Sequence, residues 1–180
     1  MNTTDCIKTR RSIRNYKEDQ ISQEVLKEVV DLARFAPSWK NTQTARYYVV
    51  QDAAVKQNIA ENCMMEFAFN TKTLTKAPAL VVVAYVEKRS GYERDGSFST
   101  SKEDRWEMFD AGIATQTFCL AAHEKGLGTC IMGIFDEEKI AEAVSLPEGQ
   151  KVGAVVAIGY PAEEPQAPAR KEVEQLVQFL

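Results

Sequence analysis

Metal-binding residues are scarce in this 180-residue chain: it has one histidine, His123, and four cysteines, at positions 6, 63, 119 and 130. The cysteines form no C-x-x-C pair and the histidine has no partner at helical spacing, which argues against a zinc site. Unpaired cysteines of this kind are expected to be reduced packing residues in a cytoplasmic protein. There is no G-x-S-x-G elbow and no Walker A loop, so serine hydrolysis and P-loop phosphate chemistry lack their residues. The longest apolar run, APALVVVAYV (77–86), is about half of what spans a bilayer, so no membrane association is expected. The opening MNTTDCIKTRR has no apolar core of the secretory kind. Positive charge is in deficit: 22 Lys and Arg against 26 Asp and Glu give a net charge of −4, which disfavours a nucleic-acid binder.

What is present reads as an ordinary globular chain, 44% apolar and 27% charged, and as one domain over 1–180 with 161–180 as a C-terminal arm. Residues 22–36 open on Ser22 as an N-cap, and Val25, Leu26, Val29, Leu32 and Ala33 recur at helical spacing until Pro37 ends the helix. RYYVVQ (46–51) is a strand, and Asp52 caps a helix after it. PALVVVAYV (78–86) has no polar alternation and reads as a strand buried on both faces.

Residues 87–103 form a long polar loop, of a length that usually serves a site or is mobile. The longest helix spans 104–125. Between Met108 and Ala122 nearly every face is apolar or small, which predicts a helix enclosed by other elements. Gly126 is placed to end it. A strand at 128–133, a helix near 136–145 started by Asp136, and a strand at 151–160 follow. The arm carries three prolines and an apolar LVQFL end, so it is expected to pack on its own domain or on a partner subunit. The expected class is α+β, with about four strands and five or six helices.

Four segments hold more chemistry than packing requires. In TRRSIRNY (9–16), Arg10, Arg11 and Arg14 supply forked, permanent charge and Ser12 a neutral hydroxyl, a set suited to phosphate. APSWKNTQ (36–43) offers Ser38, Asn41, Thr42 and Gln43 beside Trp39, the mixture that a flat heteroaromatic ligand needs. GLGTCIMG (126–133) allows close backbone approach, but it is not the dinucleotide fingerprint G-x-G-x-x-G. Arg170, late in the arm, is a further cation. Taken singly, each also fits a solvated charge run, a polar loop, a helix cap or a surface arginine. His123 and Cys130 read as packing residues rather than as base and nucleophile. A site with anion ligands and neutral donors but no acid–base cast suits a cofactor that carries its own reactivity.

Together these segments resemble the nitroreductase family of FMN-dependent flavoenzymes. The likeness runs in order through RRSIRNY, VVDLARFAPSWKNTQ, YYVV, WEMFDAGIATQTFCLAAHEKGLGTCIMG, VGAVVAIGYP and PARKEVEQLV. It implies an α+β nitroreductase-like fold, a mainly antiparallel sheet flanked by helices, in an intertwined homodimer with FMN at the interface. By the same resemblance Arg10, Arg11 and Ser12 hold the FMN phosphate with Arg170. Arg14 meets the pyrimidine edge, where positive charge stabilises the reduced ring. Pro37, Ser38, Trp39, Asn41 and Gln43 come from the partner chain, and Ile131, Met132 and Gly133 run past the isoalloxazine.

The implied activity is ping-pong transfer of hydride from NADH or NADPH, through FMN, to a nitroaromatic or quinone. A flavin-binding carrier or sensor without turnover is the alternative. Two positions depart from the family pattern. The common Q-P-W is Gln43-Thr44-Ala45 here, and the small residue usual after Ser38 is Trp39.

Overall fold

The computed structural model describes residues 2–180. Four strands form one sheet in the order β1-β2-β4-β3: β1 is Ala45–Val50, β2 Ala79–Val86, β3 Gly128–Met132 and β4 Gln150–Gly159. Every adjacent pair is antiparallel. Six α-helices surround the sheet: α1 Thr3–Thr9, α2 Gln23–Ala33, α3 Ala53–Asn62, α4 Ala68–Lys76, α5 Arg105–Glu124 and α6 Glu137–Ala143. The expected α+β class and the mainly antiparallel sheet are what the chain adopts.

Alternation along β2 explains the three-layer arrangement. Leu80 and Val82 point into one core with Ile59, Met64, Leu74 and Ile140, from α3, α4, α6 and the turn after α3. Ala79, Val81 and Val83 point into the other, against Leu26 and Val29 of α2 and Phe118 and Ala122 of α5. A strand with helices on both faces has no solvated side, so its sequence shows no polar alternation. The caps are also local. Ser22 Oγ accepts from the Val25 N–H, Asp52 Oδ1 from Val55 and Asp136 Oδ1 from Lys139, each satisfying an orphan donor of a first turn.

One expectation changes in the structure, and of the two placements expected for the arm a single chain displays only the first, in part. The helix α5 is not enclosed within this chain: Met108 and Phe109 are about half exposed, and Gly112 and Gln116 lie open beside them. The arm, likewise, packs on its own domain only at its root. There Tyr16 bridges to Pro161 and the Ala162 N–H donates to the Asn15 carbonyl. Every residue from 166 onward is exposed, including Leu176, Phe179 and Leu180.

Candidate functional site

The basic run is laid along the free edge of β3. Ser12 pairs with Thr129 in a parallel bridge, and the Ile13 N–H donates to the Thr129 carbonyl at 2.9 Å. Gly128 makes this approach possible: a Cβ there would sit 2.5 Å from Ile13 Cγ1 and 2.8 Å from Ile13 Cβ. Glu163, from the root of the arm, fixes the far end of the run. Its Oε1 accepts the Arg14 N–H at 2.7 Å and the Asn15 N–H at 3.1 Å, and its Oε2 accepts from the Asn15 amide. Partial burial raises this carboxyl's pKa. The N–H groups of Arg14 and Asn15, the Asn15 amide and the Arg14 charge outweigh that, so the net direction is down.

Arg10, Arg11 and Ser12 are half-buried and Arg14 is exposed. Their side chains have no carboxylate partner among the described residues. Arg11 donates instead to the carbonyls of Lys8 and Arg10, and Arg14 to that of Ser12. Guanidinium groups that make no direct ion pair at a strand edge are a ready anion site. The same charges act on their neighbours. Burial, then Arg10 and Arg11, lower the pKa of His123, whose ring contacts Thr9 Oγ1 at 2.8 Å. The neutral imidazole is therefore favoured. Burial raises the Cys130 thiol, with Arg14 and Arg10 opposing, and the sulfur is protonated and hidden. Neither is poised for acid–base or nucleophilic work.

Past the Ser12 bridge the outer edge of β3 is open, and side chains alternate there. Ile131 is exposed, Met132 is buried, and Gly133 is exposed at the strand's end. Next to it stands an apolar patch that sequence reasoning missed. Met65, Phe67, Phe69 and Ile134 are all exposed, the two rings lie 5.6 Å apart, and Asn70 Nδ2 ties α4 to the Ile134 carbonyl.

The APSWKNTQ loop lies elsewhere. It leads into β1, and Ala45 pairs with Tyr85, which pairs with Lys151 at the start of β4. Thr129 pairs with Ile158, near the other end of β4. The two segments therefore occupy diagonal corners of the sheet. Three inter-strand spacings and seven residues of rise separate those corners, on the order of 25 Å. Within one chain Arg10, Arg11, Ser12, Arg14, Ile131, Met132 and Gly133 come together, and Pro37, Ser38, Trp39, Asn41 and Gln43 form a second group. Arg170 joins neither by hydrogen bonding; it is exposed on the arm and donates to the carbonyls of Pro168 and Ala169.

The second group is built on strained backbone. Lys40, Asn41 and Gln43 have φ of 45°, 55° and 50°, and a left-handed residue other than glycine costs of order 1 kcal/mol. The Gln43 N–H donates to Ser38 Oγ at 2.9 Å and the Trp39 N–H to Asp110 Oδ2 at 2.8 Å. Pro37, Ser38, Gln43 and Asp110 line a cavity of about 320 Å³ with Tyr47 and Ala114. The Trp39 ring packs against Trp106 at 4.9 Å, and its indole nitrogen is buried without a hydrogen-bond partner among the described residues. Asp110 and Ser90, which hold this loop, and Glu163, which holds the other, were not singled out from sequence. A lone acid in the apolar stretch FDAGIA was a usable signal for Asp110; Glu163 left none.

A sequence model described as the Nitroreductase family matches residues 7–160, a span that takes in both groups and leaves out Arg170. The chain belongs to the nitroreductase family. Members with solved structures share the fold. An FMN-dependent nitroreductase from Clostridium difficile is 28% identical, with a TM-score of 0.76 over 98% of each chain. A structure solved with FMN bound, from Exiguobacterium sibiricum, has a TM-score of 0.86 over 100% of this chain and 98% of that one, at 20% identity. A protein named NADH dehydrogenase from Thermus thermophilus is 27% identical over 93% of this chain and 91% of its own. In this nitroreductase-family chain the matched segments are the ones that carry the two groups described above.

Proposed function

We propose that this protein is a cytoplasmic FMN-dependent oxidoreductase that takes hydride from NADH or NADPH and passes it to a nitroaromatic or quinone. The observation that carries the reading is the set Arg10, Arg11, Ser12 and Arg14 along the edge of β3 beside the open Ile131–Gly133 segment, its guanidinium groups making no ion pair among the described residues. These residues fit FMN. Arginines and a serine hydroxyl suit its phosphate, and Arg14 is the cation for the ring edge that gains negative charge on reduction. When bound, FMN would supply the two-electron chemistry, and no side chain need act as base or nucleophile. That agrees with the surroundings of His123 and of the four cysteines, which favour the neutral imidazole and the thiol forms. Met65, Phe67, Phe69 and Ile134 offer apolar surface of the kind an aromatic acceptor needs, next to Gly133.

The same reading makes the enzyme a homodimer. The loop with Pro37, Ser38, Trp39, Asn41 and Gln43 completes the site from a second copy, since in its own chain it lies at the far corner of the sheet. The open face of α5 and the apolar end of the arm, with Arg170 on it, are surfaces that such a dimer would cover.

The test is spectroscopic. Purified protein should be yellow, and its flavin absorbance should bleach anaerobically with NADH or NADPH and return on adding a quinone or nitroaromatic. Ping-pong kinetics are expected. A colourless protein that ignores added FMN overturns the reading, and a yellow one that stays oxidised with both nicotinamides makes it a carrier. Arg10→Ala should weaken FMN binding roughly tenfold to hundredfold, as loss of a charge-assisted contact of about 1.5–3 kcal/mol. Light scattering should give a dimer mass.

A further inference from the structure

We propose that Asp110 is a positioning residue: its buried carboxylate latches the strained 38–43 loop into the shape in which that loop meets FMN. The proposal rests on the reading above for its ligand, but the latch itself stands on geometry within one chain.

Asp110 is 4% exposed and has no cation within ion-pair distance among the described residues. Its Oδ2 accepts two hydrogen bonds, from the Trp39 N–H at 2.8 Å and from Ser90 Oγ at 2.6 Å. The direction of the next bond follows from proton counting. A carboxylate only accepts, so the single hydroxyl proton of Ser90 goes to Asp110, and the 3.1 Å contact between Thr42 Oγ1 and Ser90 Oγ has Thr42 as donor. The loop is thus gripped twice, at Trp39 directly and at Thr42 through Ser90.

Between those two points lie Lys40 and Asn41, both left-handed, and Gln43 follows immediately, also left-handed. Three such residues within four positions, none of them glycine and separated only by Thr42 at φ −69°, persist only where their surroundings over-determine them. The outcome of holding it is that Asn41 and Gln43 stand exposed while Ser38 and Thr42 turn half inward. Released, the loop would relax toward ordinary backbone and those amides would be displaced. Ser90 also lies in the 87–103 loop, and Glu93 in that loop pairs with Lys40 Nζ at 3.0 Å. Asp110 on α5 therefore reaches both segments, while Glu107 of the same helix accepts the Lys88 N–H of the second. A chain that needed only a filled core at position 110 would place an apolar residue there, since a buried, unpaired carboxylate costs more than an isosteric side chain.

The experiment compares wild type, Asp110→Ala, Asp110→Asn and Ser90→Ala, with Phe118→Leu as a variant that loosens the same helix from the core side without touching the loop. Two quantities are read: hydrogen exchange at the Trp39 amide in protein stripped of flavin, and FMN affinity by fluorescence quenching. Asp110→Ala should speed Trp39 exchange and weaken FMN at least tenfold. Ser90→Ala should do both to a smaller extent, and Asp110→Asn, which keeps an acceptor oxygen in place, should fall nearest wild type.

Phe118→Leu should lower the melting temperature and leave both readings near wild type. The latch is overturned if Asp110→Ala leaves Trp39 exchange unchanged, or if Phe118→Leu at equal loss of stability reproduces its effects. Should Asp110→Ala not fold, Ser90→Ala decides by the same two readings. If wild type binds no FMN, the exchange result still decides the latch, and it is the functional reading that fails.

Discussion

Replacing Gly128 by alanine tests the contact that seats the basic run. The new Cβ would stand 2.5, 2.8 and 3.1 Å from Cγ1, Cβ and Cγ2 of Ile13, whereas carbon atoms in contact prefer about 3.5–4.0 Å. Rotation about χ1 can move the two γ carbons but not the β carbon, so backbone must shift by about an ångström. Ile13 is 7% exposed and its N–H is bonded to the Thr129 carbonyl, so the shift spoils core packing and edge pairing together. Overpacking of this kind costs about 3 kcal/mol at its upper end. The loss of chain freedom in the unfolded state offsets about 1 kcal/mol, because Gly128 is outside the left-handed region.

The net loss is about 2 kcal/mol, or a fall in Tm of about 4–8 °C for a chain of this size. Thermal unfolding followed by circular dichroism reads it. FMN affinity should fall in the same variant, because Arg10, Arg11 and Ser12 hang on that edge. The double variant Gly128→Ala/Ile13→Ala should be less destabilised than the two losses added, since two of the three close contacts are then gone. A Tm within about 1 °C of wild type would show that the edge is not close-packed and would refute the reasoning.

Two further outcomes follow from other contacts. Asp52→Ala removes the acceptor for the Val55 N–H and should cost about 1 kcal/mol in denaturant unfolding, with no change in FMN affinity. Glu163 has a folded-state pKa below its unfolded value, so its contribution is present above the unfolded pKa of about 4.3 and is lost as pH falls through the folded one. Wild type should therefore exceed Glu163→Gln in stability at pH 7, and the gap should narrow as pH falls below the unfolded pKa and close below the folded one. A gap independent of pH would show that the carboxylate's charge is not what holds Arg14 and Asn15.

Much of the architecture was legible because its causes are local or periodic. The capping roles of Ser22, Asp52 and Asp136 need only a side-chain oxygen three residues before a free N–H. The apolar run of β2 announces burial on both faces because alternate residues must enter two cores. The basic run and the 126–133 segment stood out as unusual in composition, and the structure lays one along the other. Asp110 was passed over because its meaning depends on Trp39 and Ser90, 71 and 20 residues away. Ile13 against Gly128 is likewise a contact across 115 positions that no spacing rule reveals.

Local chemistry in this sequence set which residues form helices and strands, where the helices start, and which side chains carry charge or hydrogen-bonding groups. Tertiary structure alone decided where these groups stand. Antiparallel pairing sent the basic run and the APSWKNTQ loop to opposite corners of one sheet, and left α5 with an apolar face uncovered in a single chain. Strand order and register are sums of many weak contacts distant in sequence, so no short segment encodes them. They determine whether one chain or two must close around a ligand.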